Sequence, residues 1–358
     1  MAAPLRVGLI GYGYVGRTMH APLIASVPGL SLTAVGSSRR DEVRAAWPGA
    51  RVTDDYLALA RDSACDLVVI ATPNDSHHTL ARAALEAGRH VVVDKPFTVT
   101  LAQADDLIAL ARHRERLLSV FHNRRWDGDF LSLAECIGSG VLGDVRELIS
   151  RFDRFDPVPR DRWRERPGAG AGLWFDLGPH LIDQALCLFG RPATISADIA
   201  TLRDRAAGGA SPGSFADDYA QVVLGYPKRR VNLHCTRLAA APGPRFEAHG
   251  TLGSFYCHGL DIQEEQLKAG RAPGSAGWGE DPEPVYVTDS RQTPRHASAQ
   301  PREWGDYRRY YEGIRDAVLG RGENPVPPAQ ARCVMAVLEC AIRSAEMGRT
   351  LEFDEGVE

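Results

Sequence analysis

Two hydrophobic grammars follow one another along the chain. Up to residue 121, short apolar runs are separated by stretches with helical spacing, the pattern of parallel βαβ units. Leu5–Ile10 predicts a buried strand, followed by a glycine turn and a helix from about Tyr14 to Val27. Leu32–Gly36 predicts a second strand, and Val52–Thr53 begins a shorter third. Leu67–Ala71, Val91–Val93 and Leu117–Phe121 predict three more. Helices are expected over Ser76–Ala87, stopped by Gly88 as a left-handed cap, and over Leu101–Arg112. Six strands with intervening helices predict a Rossmann fold, a doubly wound parallel α/β sheet, over residues 1–122.

After Phe121 the runs lengthen and lie closer together. Asp144–Phe155, Ala193–Ile199, Asp218–Gly225, Arg229–Arg237 and Phe246–His249 predict strands. Val231, Leu233 and Cys235 alternate with Asn232, His234 and Thr236, as in a sheet with one buried face. Helices are expected at about Gly128–Ile137, Pro179–Phe189, Trp304–Leu319 and Pro328–Met347. Residues 123–358 therefore predict an α+β domain on a large, open, mainly antiparallel sheet. Ala206–Ser214 and Ala269–Pro284, rich in small residues and proline, predict surface loops.

Composition narrows the function classes. The apolar 44% and charged 25% are those of an ordinary globular protein. A net charge of −4 argues against nucleic acid, and the arginines at 162, 164 and 166 are interleaved with Asp161 and Glu165. No apolar run approaches the roughly 20 residues of a membrane span, and the first ten residues lack the charged start of a signal peptide. The seven cysteines (65, 136, 187, 235, 257, 333 and 340) never form C-x-x-C. They predict reduced thiols in a cytoplasmic protein and no metal site.

Gly11-Tyr12-Gly13-Tyr14-Val15-Gly16 matches G-x-G-x-x-G directly after a predicted strand and at the opening of a predicted helix. The first glycine permits the tight turn, the second lets backbone approach a pyrophosphate, and the third lets helix and strand pack closely. A diphosphate would then sit at the helix N-terminus, where free N–H groups favour negative charge. The end of the second strand reads Gly36-Ser37-Ser38-Arg39-Arg40, with no acid before Asp41. An acid there would bond the ribose 2′-hydroxyl of NAD, whereas Ser37, Ser38 and Arg39 suit the 2′-phosphate of NADP. The competing explanation is that Arg39 and Arg40 merely begin a solvated helix; NADP is favoured over NAD. Thr72, Pro73 and Asn74 follow the fourth strand at its carboxyl end, where ligands bind in open α/β sheets. His77 or His78 is a further site-facing candidate, although histidines at helix starts are usually only solvated; His20 reads the same way.

Asp94-Lys95-Pro96 lies at the carboxyl end of the fifth strand, where a lysine can stabilise charge developing on a reacting oxygen. In Trp174–Asp183, Asp176 and His180 are four apart, on one helical face. Pro179 fits the first turn of a helix, which would set both at its N-terminus and favour a neutral His180 able to accept a proton. Asp176 would orient the ring or bind a substrate hydroxyl. Arg154 and His234 are weaker substrate-contact candidates on the sheet strands, where an ordinary polar sheet face is the alternative.

Taken together, the glycine motif, Ala71-Thr72-Pro73-Asn74-x-x-His77, Lys95-Pro96 and Asp176-x-x-x-His180 resemble the Gfo/Idh/MocA oxidoreductases over nearly the whole chain. The resemblance is strongest to the NADP-linked scyllo-inositol dehydrogenase-like branch, through Ser119–Trp126, Asp161–Glu165 and Asp176 to Gln184. It implies that Lys95 is the catalytic lysine, Asp176 the substrate-contacting acid and His180 the proton acceptor. It also implies a cis Lys95–Pro96 peptide and cofactor contacts from Asp94, Asn123, Trp163 and Arg164. Asp94 departs from the glutamate of many members, which shortens the side chain by a methylene. The implied reaction is reversible oxidation of a secondary alcohol on a cyclic polyol or sugar, in a homodimer or homotetramer. The scaffold also supports dinucleotide-binding sensors, glycosidases with a transient redox step, and reductases of a non-sugar carbonyl or imine.

Overall fold

A computed structural model describes residues 3–160, 162–203, 215–292 and 296–354. The loop expected over 206–214 and residue Asp161 lie outside them. The chain forms two compact units.

In the first unit, β1 (Leu5–Ile10), β2 (Leu30–Gly36), β3 (Arg51–Thr53), β4 (Leu67–Ile70), β5 (His90–Val93) and β6 (Leu118–Val120) form one sheet. Its order is β3-β2-β1-β4-β5-β6 and every pairing is parallel. The run Leu67-Val68-Val69-Ile70 is wholly buried, as a strand covered on both faces must be. A π-helical stretch, Gly16–His20, leads into α1 (Ala21–Ser26). Two short helices follow: α2 (Arg40–Ala46), which starts where the competing explanation for Arg39 and Arg40 put a helix, and α3 (Tyr56–Ala60), absent from the sequence reading. α4 (His77–Glu86) ends before Gly88, whose φ of +77° is the expected left-handed stop. α5 (Leu101–His113) is capped by the Thr100 side chain, which accepts from the Gln103 N–H.

The second unit is a nine-stranded mixed sheet. Its strands are β7 (Val145–Asp153), β8 (Thr194–Ala200), β9 (Tyr219–Tyr226), β10 (Arg229–Thr236), β11 (Phe246–Gly250), β12 (Gly253–Cys257), β13 (Val285–Asp289), β14 (Ser298–Gln300) and β15 (Leu351–Glu352). The order is β14-β13-β12-β11-β7-β10-β9-β8-β15, antiparallel except where β7 pairs with β10. The last four strands in chain order are short, and the hydrophobic pattern does not predict them. α6 (Gly128–Gly138) and α7 (Leu173–Phe189) contribute to its core with Phe130, Leu133, Leu177 and Leu181, against Leu148, Phe152, Leu233 and Cys235 of the sheet.

After β12 the chain returns to the first unit through residues 262–279 and 306–332, which carry α8 (Gln263–Lys268) and α9 (Arg308–Val318). The latter begins four residues later than Trp304, the predicted start. α10 (Pro328–Met347) belongs to the second unit from Cys333 onward.

α7 also corrects an expectation. It begins at Leu173, so Pro179 lies inside it rather than in its first turn. Gly172 makes the entry with φ +98°, and a Cβ there would overlap the Asp217 carboxylate. That carboxylate accepts the Trp174 N–H at 2.7 Å, and the Asp217 carbonyl accepts the Leu173 N–H at 2.9 Å. Two orphan donors of the helix start are thus satisfied from the approach to β9, 43 residues away. Gly178 lets the indole of Trp174 lie back on the helix, where a Cβ would come within 2.8 Å of it.

Candidate active site

The carboxyl ends of β1, β2, β4 and β5 emerge along one edge of the first sheet, because Ile10 is in register with both Gly36 and Ile70, and Ile70 with Val93. The three glycines of the motif meet different demands there. Gly11, at φ +100°, lies so close to the Ala71 carbonyl that a Cβ would overlap it. A Cβ at Gly16 would overlap the Gly11 carbonyl. At Gly13 a Cβ would meet no protein atom within 4 Å. Packing therefore requires the first and third glycines and leaves the second facing open space, as a cradle for a pyrophosphate at a helix N-terminus needs. The residues present fit a dinucleotide.

The hydroxyls of the two tyrosines of the motif are both hydrogen-bonded within the unit. Trp47 donates its indole N–H to the buried Tyr12 hydroxyl at 3.0 Å. Tyr14 donates to Glu264 of α8 at 2.8 Å, and the other oxygen of Glu264 accepts from the buried Arg124 at 2.9 Å. Burial, then the Glu264 charge, pushes the Tyr14 hydroxyl up to about 12. Val15 is left in the first helical turn. Glu264 was not visible as a site residue in the sequence, since 250 positions separate it from Tyr14.

After β2, Ser37 is buried and its hydroxyl accepts the Arg39 N–H at 3.0 Å. Ser38 and Arg39 are exposed. Arg40 donates to Asp54 at 2.7 Å and starts α2, whereas Arg39 stands 3.6 Å from Glu42.

After β4, Thr72 shares a hydrogen bond of 2.6 Å with Ser76, Pro73 is exposed and Asn74 is buried. His77 is wholly buried rather than site-facing. Its ring nitrogens lie 2.9 Å from the Pro96 carbonyl and 3.0 Å from the Thr72 carbonyl, so it straps the two loops together. Burial lowers its pKa, and a neutral ring donates to only one of the two carbonyls. His78 faces Asp106 at 2.8 Å.

After β5, the Lys95–Pro96 peptide is cis and Lys95 is half-buried. Asp94 is buried beside His20, which is also wholly buried and not a solvated residue. The Tyr311 hydroxyl lies 2.5 Å from one ring nitrogen of His20, and Asp94 lies 3.8 Å from the other. Burial pushes the Asp94 carboxyl up, but His20, Lys95 and His77 outweigh it and hold it below its ordinary range. Asn123, on a short 3-10 turn after β6, is buried.

The second unit carries Asp176 in the first turn of α7 and His180 one turn later. The helix dipole at this start favours the Asp176 carboxylate, while His180 lies deeper than the sequence suggested. The imidazole of His180 stacks on Phe152 at 6.4 Å, and Gln184, a further turn on, accepts from the buried Arg245 at 2.6 Å. Asp176 is flanked by Arg164 at 3.8 Å and Arg237 at 3.9 Å. Trp163 and Arg164 stand out on a short turn anchored by the buried Glu165, which accepts from Arg162 at 2.6 Å and Arg203 at 3.0 Å. Arg164 lies over the Trp163 ring at 4.8 Å. Arg154 lies over Phe152 at 5.0 Å, on the α7 side of the sheet. His234 is on the opposite face, 2.7 Å from Asp153 and edge-on to Tyr219, because it alternates with the buried Leu233 and Cys235.

A parallel sheet in this order, with an open glycine cradle at its switch point, defines a dinucleotide-binding domain, joined along the chain to a second sheet unit. The comparisons give the family. Residues 5–122 match the oxidoreductase-family NAD-binding Rossmann model, and residues 134–353 match that family's C-terminal alpha/beta domain. The chain belongs to the Gfo/Idh/MocA oxidoreductase family. It is 50% identical to the oxidoreductase YdgJ of Escherichia coli, over 98% of this chain and 99% of that one. It is 34% identical to the scyllo-inositol 2-dehydrogenase (NADP(+)) IolW of Bacillus subtilis, over 97% and 95%. An oxidoreductase structure from Yersinia pestis is 48% identical with a TM-score of 0.92, covering 99% of this chain and 98% of that one. Among the described residues no helix is long and apolar enough to cross a membrane.

Proposed function

We propose that this protein interconverts a secondary alcohol and a ketone on a cyclic polyol or sugar, with NADP preferred over NAD. The observation that carries the reading is the presence of Asp176 and His180 one turn apart in α7, together with Lys95 directly after β5. NADP, when bound, supplies the redox chemistry. Gly11, Gly13 and Val15 would hold its diphosphate with backbone groups, and Ser38 and Arg39 its 2′-phosphate. The absence of an acid from 36 to 40 and the exposure of Arg39 support that preference.

The chain's own residues divide the acid–base work. The Lys95 ammonium donates to the reacting oxygen and stabilises its negative charge. His180 takes the hydroxyl proton in oxidation and returns it in reduction, a general-base role assisted by a ring fixed against Phe152. Asp176 binds a neighbouring hydroxyl. The relative named for scyllo-inositol dehydrogenation supports the substrate class, and we place the protein in the cytoplasm as a homodimer or homotetramer assembled through the nine-stranded sheet.

The first test is reduced-nicotinamide absorbance with scyllo-inositol, myo-inositol and glucose, each with NADP and with NAD. Turnover of one of them with NADP above NAD is expected. Silence with every polyol and sugar, despite tight cofactor binding, would overturn the reading in favour of a sensor or a different carbonyl substrate.

A further inference from the structure

β7 and β10 are neighbours and run parallel, with Asp153 in register with Thr236. On the α7 side the inward positions are Leu148, Ser150 and Phe152 on one strand and Val231, Leu233 and Cys235 on the other. The next inward positions are Arg154 and Arg237. The apolar lining of the sheet thus gives way to two guanidiniums side by side, at the end where α7 presents Asp176.

Arg237 is the telling one. Its side chain is only 6% exposed, yet its carboxylate neighbours, Asp156 at 3.6 Å and Asp176 at 3.9 Å, are beyond hydrogen-bond reach. A buried guanidinium ordinarily spends its fork of donors on oxygen partners. Among the described residues these donors are unspent and none is sealed from solvent, unlike the enclosed nitrogens of Arg124, Arg245 and Arg302. Burial lowers the Arg237 pKa and Asp176 offsets it, the balance expected of a cation held short of full neutralisation. Arg154 pairs with no carboxylate of the described residues and rests on the Phe152 ring, which on its own account packs against His180.

Other carboxylates nearby are committed elsewhere. Glu165 is taken by Arg162 and Arg203, Asp218 by Arg203, and Asp217 by the start of α7. We propose that Arg154 and Arg237 form an anion-binding subsite beside Asp176, and that among polyols and sugars this protein prefers one that carries a carboxylate or a phosphate held there. This rests on the dehydrogenase reading and deepens it: a sugar acid or sugar phosphate binds more tightly than the neutral polyols and sugars that the same site also turns over. Arg237 orients the anionic end, and Arg154, more exposed, meets it from the solvent side.

The test compares matched pairs on the NADP-loaded protein: glucuronate against glucose, and glucose 6-phosphate against glucose. Binding is read by calorimetry and turnover by nicotinamide absorbance. One anionic sugar should bind about tenfold or more tightly than glucose, the scale of one charge-assisted bidentate contact. Which of the two does so identifies carboxylate or phosphate. Arg237→Gln and Arg154→Gln should each bring that ratio toward one, and Arg237→Lys should keep part of it. Arg154→Gln serves where Arg237→Gln does not fold. The proposal fails if neither anion outbinds glucose, if the ratio survives both glutamine variants, or if those variants weaken NADP binding instead. Arginine-dependent anion binding without any turnover would sink the dehydrogenase reading alone; turnover of neutral sugars with no anion preference would sink the subsite alone.

Discussion

The imidazole of His20 stands 3.8 Å from the Asp94 carboxylate, with both side chains buried and Lys95 the next residue along. A buried carboxylate that loses a polar neighbour is less well compensated, at a cost of up to about 3 kcal/mol. His20→Phe retains the ring that packs on Phe121 at 4.4 Å but strips Asp94 of its neighbour. Urea unfolding should show a loss of up to about 3 kcal/mol. Adding Asp94→Asn should restore at least half of it. A single variant as stable as the parent would mean the two groups are not coupled.

Gly13 separates cofactor binding from folding. Because a Cβ there meets no protein atom, Gly13→Ala should leave the melting temperature nearly unchanged. It should weaken NADPH binding by about tenfold or more by occupying the space needed for close backbone approach. Gly16→Ala, which drives a methyl into the Gly11 carbonyl, should destabilise the fold itself. Equal behaviour of the two variants in melting and fluorescence titration would refute the division of roles.

Glu264 links the glycine motif to α8. Glu264→Ala removes a carboxylate that accepts from the buried Arg124 guanidinium and frees the Tyr14 hydroxyl. A destabilisation of about 2–4 kcal/mol is expected, with NADPH affinity lowered several-fold as the motif loosens. Tyr14→Phe removes only the hydroxyl contact, so its effect on affinity should be smaller. An unchanged dissociation constant in both would show that α8 plays no part in cofactor binding.

These residues mark where the sequence was legible. The first sheet could be read because its central strands β4 and β5 are near-continuous apolar runs and the glycine motif interrupts the pattern in a fixed place. Lys95, Asp176 and His180 were proposed from residue type and from their place along the chain. His20 and His77 were read as site-facing or solvated and are buried, because a histidine at a helix start looks the same in sequence whether it meets water or a buried loop. The start of α7 was misplaced because its cap is tertiary: Asp217 arrives from the approach to β9, so Pro179 looked like the first turn. Helices α2 and α3 are too short to show a period. Arg237 was seen only as the last residue of a strand; its place beside Arg154 depends on the parallel pairing of β7 and β10, which no local pattern records.

Asp217 yields a pH dependence. Burial, the largest influence, raises its carboxyl to about 6 from the ordinary 3.8, even though the Trp174 N–H opposes the shift. The folded state thus keeps this proton in a range where the unfolded chain has lost it. Stability contributed by the group is complete below about pH 4 and is lost as pH rises through about 6. The full difference would be about 3 kcal/mol, less because the side chain is only partly enclosed. Asp217→Asn keeps an oxygen for the Trp174 N–H and has no proton to lose in this range. Melting temperatures from pH 4 to 7 should therefore fall more steeply for the parent than for the variant, the two curves drawing apart in the variant's favour toward neutral pH. Parallel curves would mean that the carboxylate at the start of α7 ionises as freely as in water, and that the helix dipole and the Trp174 N–H offset its burial.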